Sequence, residues 1–301
     1  MEQRRGVIAG AFAYSMWGLF PLFFHHLAPT GPLEVLGHRI IWSFVVVSIV
    51  LRLRGGASGQ AVLRADGRRA VRIALAALLL AVNWLTYLWA VNNGHIVDAA
   101  LGYFINPLLS VALGVIALGE RLRRAQGWAV LLGAVAVVIL TAGYGKLPWV
   151  ALTLATTFGI YGFLKKTIVV PGAIESLAAE SAVLLPLAVV GFAIALVGPG
   201  IMFGHHGLGN VALLVLTGPV TAVPLVLFAF AAHRIPLTLV GLLMYLTPVG
   251  QFLCGVLVFH EAVPLARLVG FALVWVALVI LTVDAVRHYG TEATTPVPVD
   301  A

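Results

Sequence analysis

Apolar runs long enough to cross a bilayer recur along the whole chain, and this feature limits the fold more than any other. A helix of about 20 apolar residues spans the hydrocarbon core of a membrane. We identify ten such runs: 6–26, 33–53, 71–92, 97–118, 125–143, 147–165, 174–198, 209–232, 237–259 and 264–285. Only 10% of the 301 residues are charged, whereas soluble domains average about 25%. The sequence therefore predicts an all-α polytopic membrane protein with ten transmembrane helices and no separate soluble domain.

The basic residues are distributed unevenly between the loops. If the N-terminus lies inside, all but three of the 18 Lys and Arg residues fall on the inner side, the exceptions being Arg39, Lys146 and Arg267. Loops rich in Lys and Arg stay in the cytoplasm. We therefore expect both termini in the cytoplasm, and we attribute the net charge of +7 to topology rather than to a nucleic-acid partner.

The second half of the chain repeats the first at a constant offset, which equals the spacing between Pro107 and Pro248. The other matched positions include Gly114 and Gly255, Glu120 and Glu261, Gly18 and Gly159, and Glu34 and Glu175. A constant offset over this length indicates duplication. Because each half has five predicted crossings, the second half must enter the membrane from the opposite side, which predicts two inverted-topology repeats.

The repeat sets the expected domain boundaries and points to a function. We expect a first five-helix repeat at 1–143, a second at 144–286, and a disordered cytoplasmic tail at 287–301. A site between two inverted repeats can open to either side of the membrane, as alternating access requires. The alternative is that the repeat records ancestry alone, whatever the protein does.

Polar and aromatic side chains at mid-depth predict a binding cavity. They lie on the third, fourth and ninth predicted helices, where polar groups avoid lipid and face a cavity or another helix. The set is Asn83, Trp84, Tyr87, Tyr103, Asn106 and Gln251. An amide beside aromatic rings can hold a flat, partly polar molecule. The alternative is that these groups serve only in helix packing.

Charged residues inside the apolar runs predict a gate. Arg39 lies about 9 Å inside the outer edge of the second helix, at 1.5 Å per residue, and a charge at that depth calls for a partner. Glu34 and Asp98 fall in the same outer half, so a pair with Arg39 would close the outer mouth. The alternative is that Arg39 reaches the interface without a partner. Glu180, the repeat equivalent of Arg39, falls in the inner half and should not contact it.

The sequence carries weak signals for metal binding or catalysis. The histidines lack the helical HxxxH spacing and Cys254 is the only cysteine, so we predict no metal site and no cofactor. No nucleotide-binding loop is present, and His95 with Asp98 is the only plausible catalytic pair. We predict that the protein is not an enzyme; an intramembrane enzyme and a lipid-handling or sensing protein are the alternatives.

Five segments carry a resemblance to a known family: "WGLFPLFF" (17–24), "LEVLGHRIIWS" (33–43), the block 83–111 that begins "NWLTYLWAVNNGH", "LGERL" (118–122) and "GFALVWVALVIL" (270–281). They resemble the EamA family of the drug/metabolite transporter superfamily, and its RarD-like members in particular. The chain departs from the family where "GE" is common, since His260 precedes Glu261. Trp17 and Trp42 from these segments join the cavity set, and His38 joins the gate set.

The resemblance implies a fold of two EamA repeats and the export of small molecules across the bacterial inner membrane. RarD-like members are associated with a chloramphenicol-sensitivity label. We therefore expect a secondary transporter that works by alternating access at a central site. Its expected partners are a small-molecule substrate and the lipid bilayer, and a proton as coupling ion and a homodimer are left open.

Overall fold

The computed structural model describes residues 2–64, 66–118, 123–144, 147–168, 172–197, 200–232, 234–235 and 243–292. Within these ranges the chain is helical and forms no strand, which confirms the all-α prediction. The helices are α1 (Glu2–Gly18), α2 (Phe20–His25), α3 (Pro32–Arg54), α4 (Gly59–Arg64), α5 (Gly67–Asn92), α6 (Ile96–Leu118), α7 (Arg124–Tyr144), α8 (Trp149–Thr167), α9 (Ala173–Val197), α10 (Gly207–Ala232), α11 (Leu246–Leu253) with a π-helical turn (Cys254–Val258), and α12 (Leu265–Glu292).

Eight helices in the described ranges are long and apolar enough to cross a membrane. They are α1 together with α2, and then α3, α5, α6, α7, α9, α10 and α12. The two other predicted crossings differ from these. Helix α8 carries Lys165 and Lys166 in its last turn, and these two charged residues lower its mean hydropathy. Helix α11 with its π-helical turn forms a shorter apolar segment, Leu246–Val258, and residues 236–242 before it lie outside the described residues.

The first crossing is divided into α1 and α2. Pro21 lies in the first turn of α2 and has no N–H with which to continue the hydrogen-bond ladder of α1. Carbonyl groups near the end of α1 are bound by α11: Thr247 Oγ1 donates to Tyr14 O at 3.0 Å, and Gln251 Nε2 donates to Trp17 O at 3.3 Å. Thr247 and Gln251, two polar residues of the ninth predicted crossing, therefore face the α1 backbone.

Most helix pairs join the first half of the chain to the second. Helix α3 packs against α9 and α10, α7 against α12, and α8 against α5 and α6. Helix α1 packs against α10 and α11, α11 also packs against α6, and α5 packs against α9. One large hydrophobic core is centred on α2, α3, α5, α9 and α10, and a second on α6, α7 and α12.

The last helix is longer than the apolar pattern predicts. Helix α12 continues to Glu292, so the start of the expected disordered tail is helical, and residues 293–301 lie outside the described residues. Arg123 Nη2 lies 2.6 Å from Asp284 Oδ2, which ties α12 to the start of α7 close to this end. Once nucleated and anchored, a helix can continue through polar residues, because each added residue gains a backbone hydrogen bond.

Candidate functional site

Asn83 is the centre of a buried hydrogen-bond network that joins three helices. From α5, its Nδ2 donates to Leu154 O at 3.1 Å and to Thr157 Oγ1 at 3.0 Å, both on α8. The hydroxyl of Tyr103 on α6 donates to Asn83 Oδ1 at 3.1 Å. Both polar atoms of the amide are therefore in use, and the predicted cavity residues Asn83 and Tyr103 are brought together.

Three other predicted cavity residues carry buried polar atoms that lack a partner in the described part of the chain. They are the hydroxyl of Tyr87, Oδ1 of Asn106 and Oε1 of Gln251. The Tyr87 ring lies 6.2 Å from that of Tyr103, and Asn106 lies beside Gly159 of α8. Since more than about 90% of buried polar groups in folded proteins are hydrogen-bonded, each of these atoms marks a place where water or a ligand can bind.

Arg39 lies in a box of aromatic rings. It is 4% exposed, and its guanidinium carbon is 4.1 Å from the ring centre of Trp84, 5.0 Å from that of Phe24 and 5.6 Å from that of Phe20. Its Nε donates to Thr221 Oγ1 of α10 at 3.0 Å. A desolvated cation over a tryptophan face gains about 2 kcal/mol or more, which offsets part of the cost of burying the charge.

The N-terminal half of α3 carries a row of polar residues at helical spacing. Glu34 accepts hydrogen bonds from the backbone N–H groups of Met202 at 2.9 Å and Phe203 at 2.8 Å, and so holds the segment before α10 against α3. His38 Nε2 lies 3.9 Å from Glu34 Oε1. The indole N–H of Trp42 donates to His38 Nδ1 at 3.2 Å. Glu34, His38 and Trp42 therefore form one set, and Glu34 binds a loop rather than Arg39.

Asp98 belongs to a polar group at the start of α6. Its Oδ2 lies 2.9 Å from His95 Nδ1, and its Oδ1 lies 3.5 Å from Arg267 Nη2. Glu261 accepts from the backbone N–H groups of Ile96 at 2.7 Å and Val97 at 2.8 Å, and so caps the helix. In this conformation the expected pair between Arg39 and either acidic residue is not formed, because tertiary contacts give each carboxylate other partners.

The carboxyl of Glu261 lies outside the membrane-spanning helices, and its pKa is raised. Burial raises its pKa above the ordinary value of 4.5, and the negative charge of Asp98 acts in the same direction. The two N–H groups that it caps act in the opposite direction, because they stabilise the carboxylate.

Glu180 has a full set of partners in the second half. Its Oε1 lies 2.5 Å from Lys165 Nζ and accepts a hydrogen bond from Ser176 Oγ at 3.0 Å. The Tyr161 hydroxyl donates to its Oε2 at 3.2 Å. Arg39 and Glu180 thus have entirely different partners. In the described residues, no group of three or more His, Cys, Asp or Glu side chains is placed to hold a metal ion.

Comparison with known proteins identifies the family. The model of the EamA-like transporter family matches residues 4–142. A protein RarD of Streptomyces exfoliatus is 53% identical over 95% of this chain and 90% of its own length. The chain belongs to the EamA family. It is thereby a member of the drug/metabolite transporter superfamily.

Other relatives of this EamA protein cover it equally well. The transporter YojE of Bacillus subtilis is 42% identical over 95% of this chain and 96% of its own length. The chloramphenicol-sensitive protein RarD of Pseudomonas aeruginosa is 29% identical over 96% of this chain and 97% of its own length. One solved crystal structure matches with a TM-score of 0.60 at 20% identity, over 94% of this chain and 98% of that one, which supports the fold alone.

Sequence reasoning missed several members of the site in this EamA protein. Phe20 and Phe24 lie in the quoted segment 17–24, but only Trp17 was selected from it, because single apolar rings in a membrane helix carry no local signal of function. Thr221 was missed because a threonine in an apolar helix usually bonds its own backbone, as it also does here to Thr217 O at 2.8 Å. Glu261 stands in the sequence as a repeat position and follows His260, and neither feature indicates that it caps α6.

Proposed function

We propose that the protein is a secondary transporter of the bacterial inner membrane that exports small organic molecules by alternating access. The site lies at the centre of the helix bundle, among Arg39, Asn83, Tyr87, Tyr103 and Asn106. The observation that carries the proposal is this buried set of polar groups, several of them unpartnered within the described residues, inside an apolar helical protein of a transporter family. Intramembrane groups of this kind mark the paths of transported solutes.

The helix packing supports ten crossings in two inverted repeats. The repeat offset relates α1 to α8, α3 to α9, α5 to α10, α6 to α11 and α7 to α12. Under this exchange, the α3–α9 and α7–α12 pairs map onto themselves. The α6–α8 pair maps onto α11–α1, α5–α8 onto α10–α1, and α5–α9 onto α10–α3, and each of these pairs is in contact. Such a pattern is expected when two copies of one fold are related by a two-fold axis.

Close contacts of small residues follow the same relation. Gly18 lies against Gly250, and Gly159, the repeat equivalent of Gly18, lies against Leu109. Leu109 is in turn the repeat equivalent of Gly250. The repeat therefore extends from helix pairs to single contacts, which supports a common origin of the two interfaces.

Membrane topology is tested with reporter fusions. Fusions at Arg64, at Lys165 and at the C-terminus should report the cytoplasm, and fusions at Lys146 and His205 should report the outside. Cytoplasmic signals at both Lys146 and His205 would refute the inverted repeat and, with it, alternating access.

Transport is tested with purified protein in proteoliposomes. We expect saturable movement of members of a small-molecule panel, with chloramphenicol included because one relative carries that name. Imposed proton gradients would show whether a proton is the coupling ion. Recovery of chemically altered compounds would favour the enzyme alternative, and movement of labelled lipid without solute flux would favour lipid handling.

A further inference from the structure

Arg39 is a buried cation without a carboxylate beside it in the part of the chain that the structure describes. Only one of its five N–H donors is hydrogen-bonded there, the Nε donor to Thr221. The titratable groups that act on its charge are the phenols of Tyr103 and Tyr87. The four donors on Nη1 and Nη2 are therefore left without an acceptor among the described residues.

The equivalent buried charge in the second half is neutralised by the protein itself. Glu180 stands at the position that the repeat offset matches to Arg39. It pairs with Lys165 and accepts a hydrogen bond from Tyr161, both on α8. The second half thus supplies a counter-ion to its buried charge from the neighbouring helix of the same half.

In the first half, the counter-ion position is taken by an aromatic ring. The repeat equivalents of Lys165 and Tyr161 are Phe24 and Phe20, respectively. Their rings pack against the Arg39 guanidinium. The residues around the buried charge therefore stand at equivalent positions in the two halves. In the first half, however, the position equivalent to Lys165 holds Phe24 and so provides no counter-ion.

Aromatic rings can hold the guanidinium but cannot accept its hydrogen bonds. The quadrupole of a ring attracts a cation over its face, whereas the N–H groups in the guanidinium plane call for oxygen acceptors. This plane forms a fork that matches a carboxylate in a bidentate manner. The hydroxyl of Tyr87, which interacts electrostatically with Arg39, is buried and without a partner among the described residues, and so adds a further hydrogen-bonding group.

We propose that Arg39 binds the carboxylate of the transported molecule, so that the substrates are small organic monoanions with an apolar body. This inference rests on the proposed transport function. A carboxylate is favoured over a phosphate because Arg39 contributes a single positive charge and no second basic group is among its titratable neighbours in the described chain. The aromatic rings around the guanidinium favour an apolar body.

Binding is tested by the thermal unfolding of purified protein in detergent with defined probes. The carboxylates are benzoate and phenylacetate, each compared with its neutral amide, and phenylphosphonate is the phosphoryl probe. We expect carboxylates to raise the unfolding temperature, since a ligand that binds only the folded state stabilises it. The amides should bind at least about tenfold more weakly, because they carry no negative charge to pair with Arg39. Phenylphosphonate in its dianionic form should also bind more weakly, because Arg39 neutralises only one of its two charges.

Variants assign the effect to Arg39. Arg39→Gln should abolish the carboxylate response. Phe24→Glu should place a counter-ion beside Arg39, as Lys165 does beside Glu180 in the second half, and should therefore fold. It should weaken carboxylate binding by about tenfold more than Phe24→Gln, because the new carboxylate competes for Arg39. Phe24→Gln is the control, since it removes the ring without adding a charge. If Arg39→Gln does not fold, the comparison at Phe24 decides.

Three results would overturn the inference: equal stabilisation by amides, an unchanged carboxylate response in Arg39→Gln or Phe24→Glu, and no response to any carboxylate. Flux of the same compounds in proteoliposomes separates this inference from the proposed function. Movement of neutral compounds alone would refute anion binding and leave transport standing. Carboxylate binding without any flux would refute transport, and anion binding would stand.

Discussion

Asn83 and Asn106 are both buried amides, but they are held in different ways. Asn83 bonds Leu154, Thr157 and Tyr103, and thereby joins α5, α6 and α8. Asn106 lies on α6 with its Oδ1 unpartnered within the described residues. We infer that Asn83 stabilises the arrangement of the helices, whereas Asn106 is available to a ligand.

Leucine substitutions should separate these two roles. Asn83→Leu should lower the free energy of unfolding by about 1–3 kcal/mol, because the buried groups that bond the amide would lose their hydrogen-bond partner. Asn106→Leu should leave the unfolding temperature nearly unchanged and abolish transport. Thermal unfolding and proteoliposome flux measure the two effects. Normal transport in Asn106→Leu would assign this residue to packing.

Glu261 predicts a pH dependence of stability. Its pKa is raised in the folded protein, so the folded state holds the proton more tightly than the unfolded state does. Stability contributed by this group is therefore present at low pH and falls as the pH rises from the ordinary value of 4.5 through the raised one.

Comparison with Glu261→Gln isolates this contribution. We expect the unfolding temperature of the unmodified protein to fall more between about pH 4 and pH 7 than that of Glu261→Gln, which cannot titrate. Parallel profiles would show that Glu261 keeps an ordinary pKa.

Close helix contacts at the element scale depend on glycine. A Cβ added at Gly218 of α10 would lie 2.5 Å from the backbone carbonyl of Trp42 on α3, and one at Gly102 of α6 would lie 2.7 Å from Ala151 O on α8. A backbone cannot move aside as a side chain can, so these two interfaces have no room for a larger residue.

Alanine substitutions test this difference. Gly218→Ala should lower the free energy of unfolding by about 1–3 kcal/mol, because α3 and α10 must separate. Gly162→Ala on α8 is the matched control, since a Cβ there meets nothing within 4 Å. It should be neutral or stabilising by about 0.5–1 kcal/mol, as expected for glycine replaced inside a helix. Equal losses in the two variants would contradict the packing argument.

Helix positions could be predicted better than helix details. The run 33–53 became α3 (Pro32–Arg54), and the run 125–143 became α7 (Arg124–Tyr144), because each crossing is apolar along its whole length. The division between α1 and α2 and the short helix α4 were not predicted. The first depends on a single proline among apolar residues, and the second, Gly59–Arg64, packs against α9 from a loop of mixed composition.

At the scale of the whole molecule, the two halves are interlocked rather than adjacent. Helix α7 packs against α12, α3 against α9 and α10, and α8 against α5 and α6. Each half therefore buries much of its apolar and polar surface only against the other.

Splitting the chain tests this dependence. Residues 1–145 and 146–301, expressed separately, should each be degraded or aggregate, because both lack the partner surfaces for their buried groups. Co-expressed, they should copurify and recover transport. Stable, monodisperse halves on their own would show that each repeat folds independently.

The sequence by itself determined the class of protein, the positions of most helices and the membership of the EamA family. A bilayer requires every crossing to be apolar over about 20 residues, and this requirement can be read one segment at a time. Only the tertiary structure decided which polar groups meet. Arg39 bonds Thr221, 182 residues away, instead of Glu34 or Asp98, and Glu261 caps a helix that begins 165 residues before it. Such partners depend on how the two halves pack against each other. A local sequence pattern can predict that a charge is buried, but it cannot predict which residue neutralises that charge.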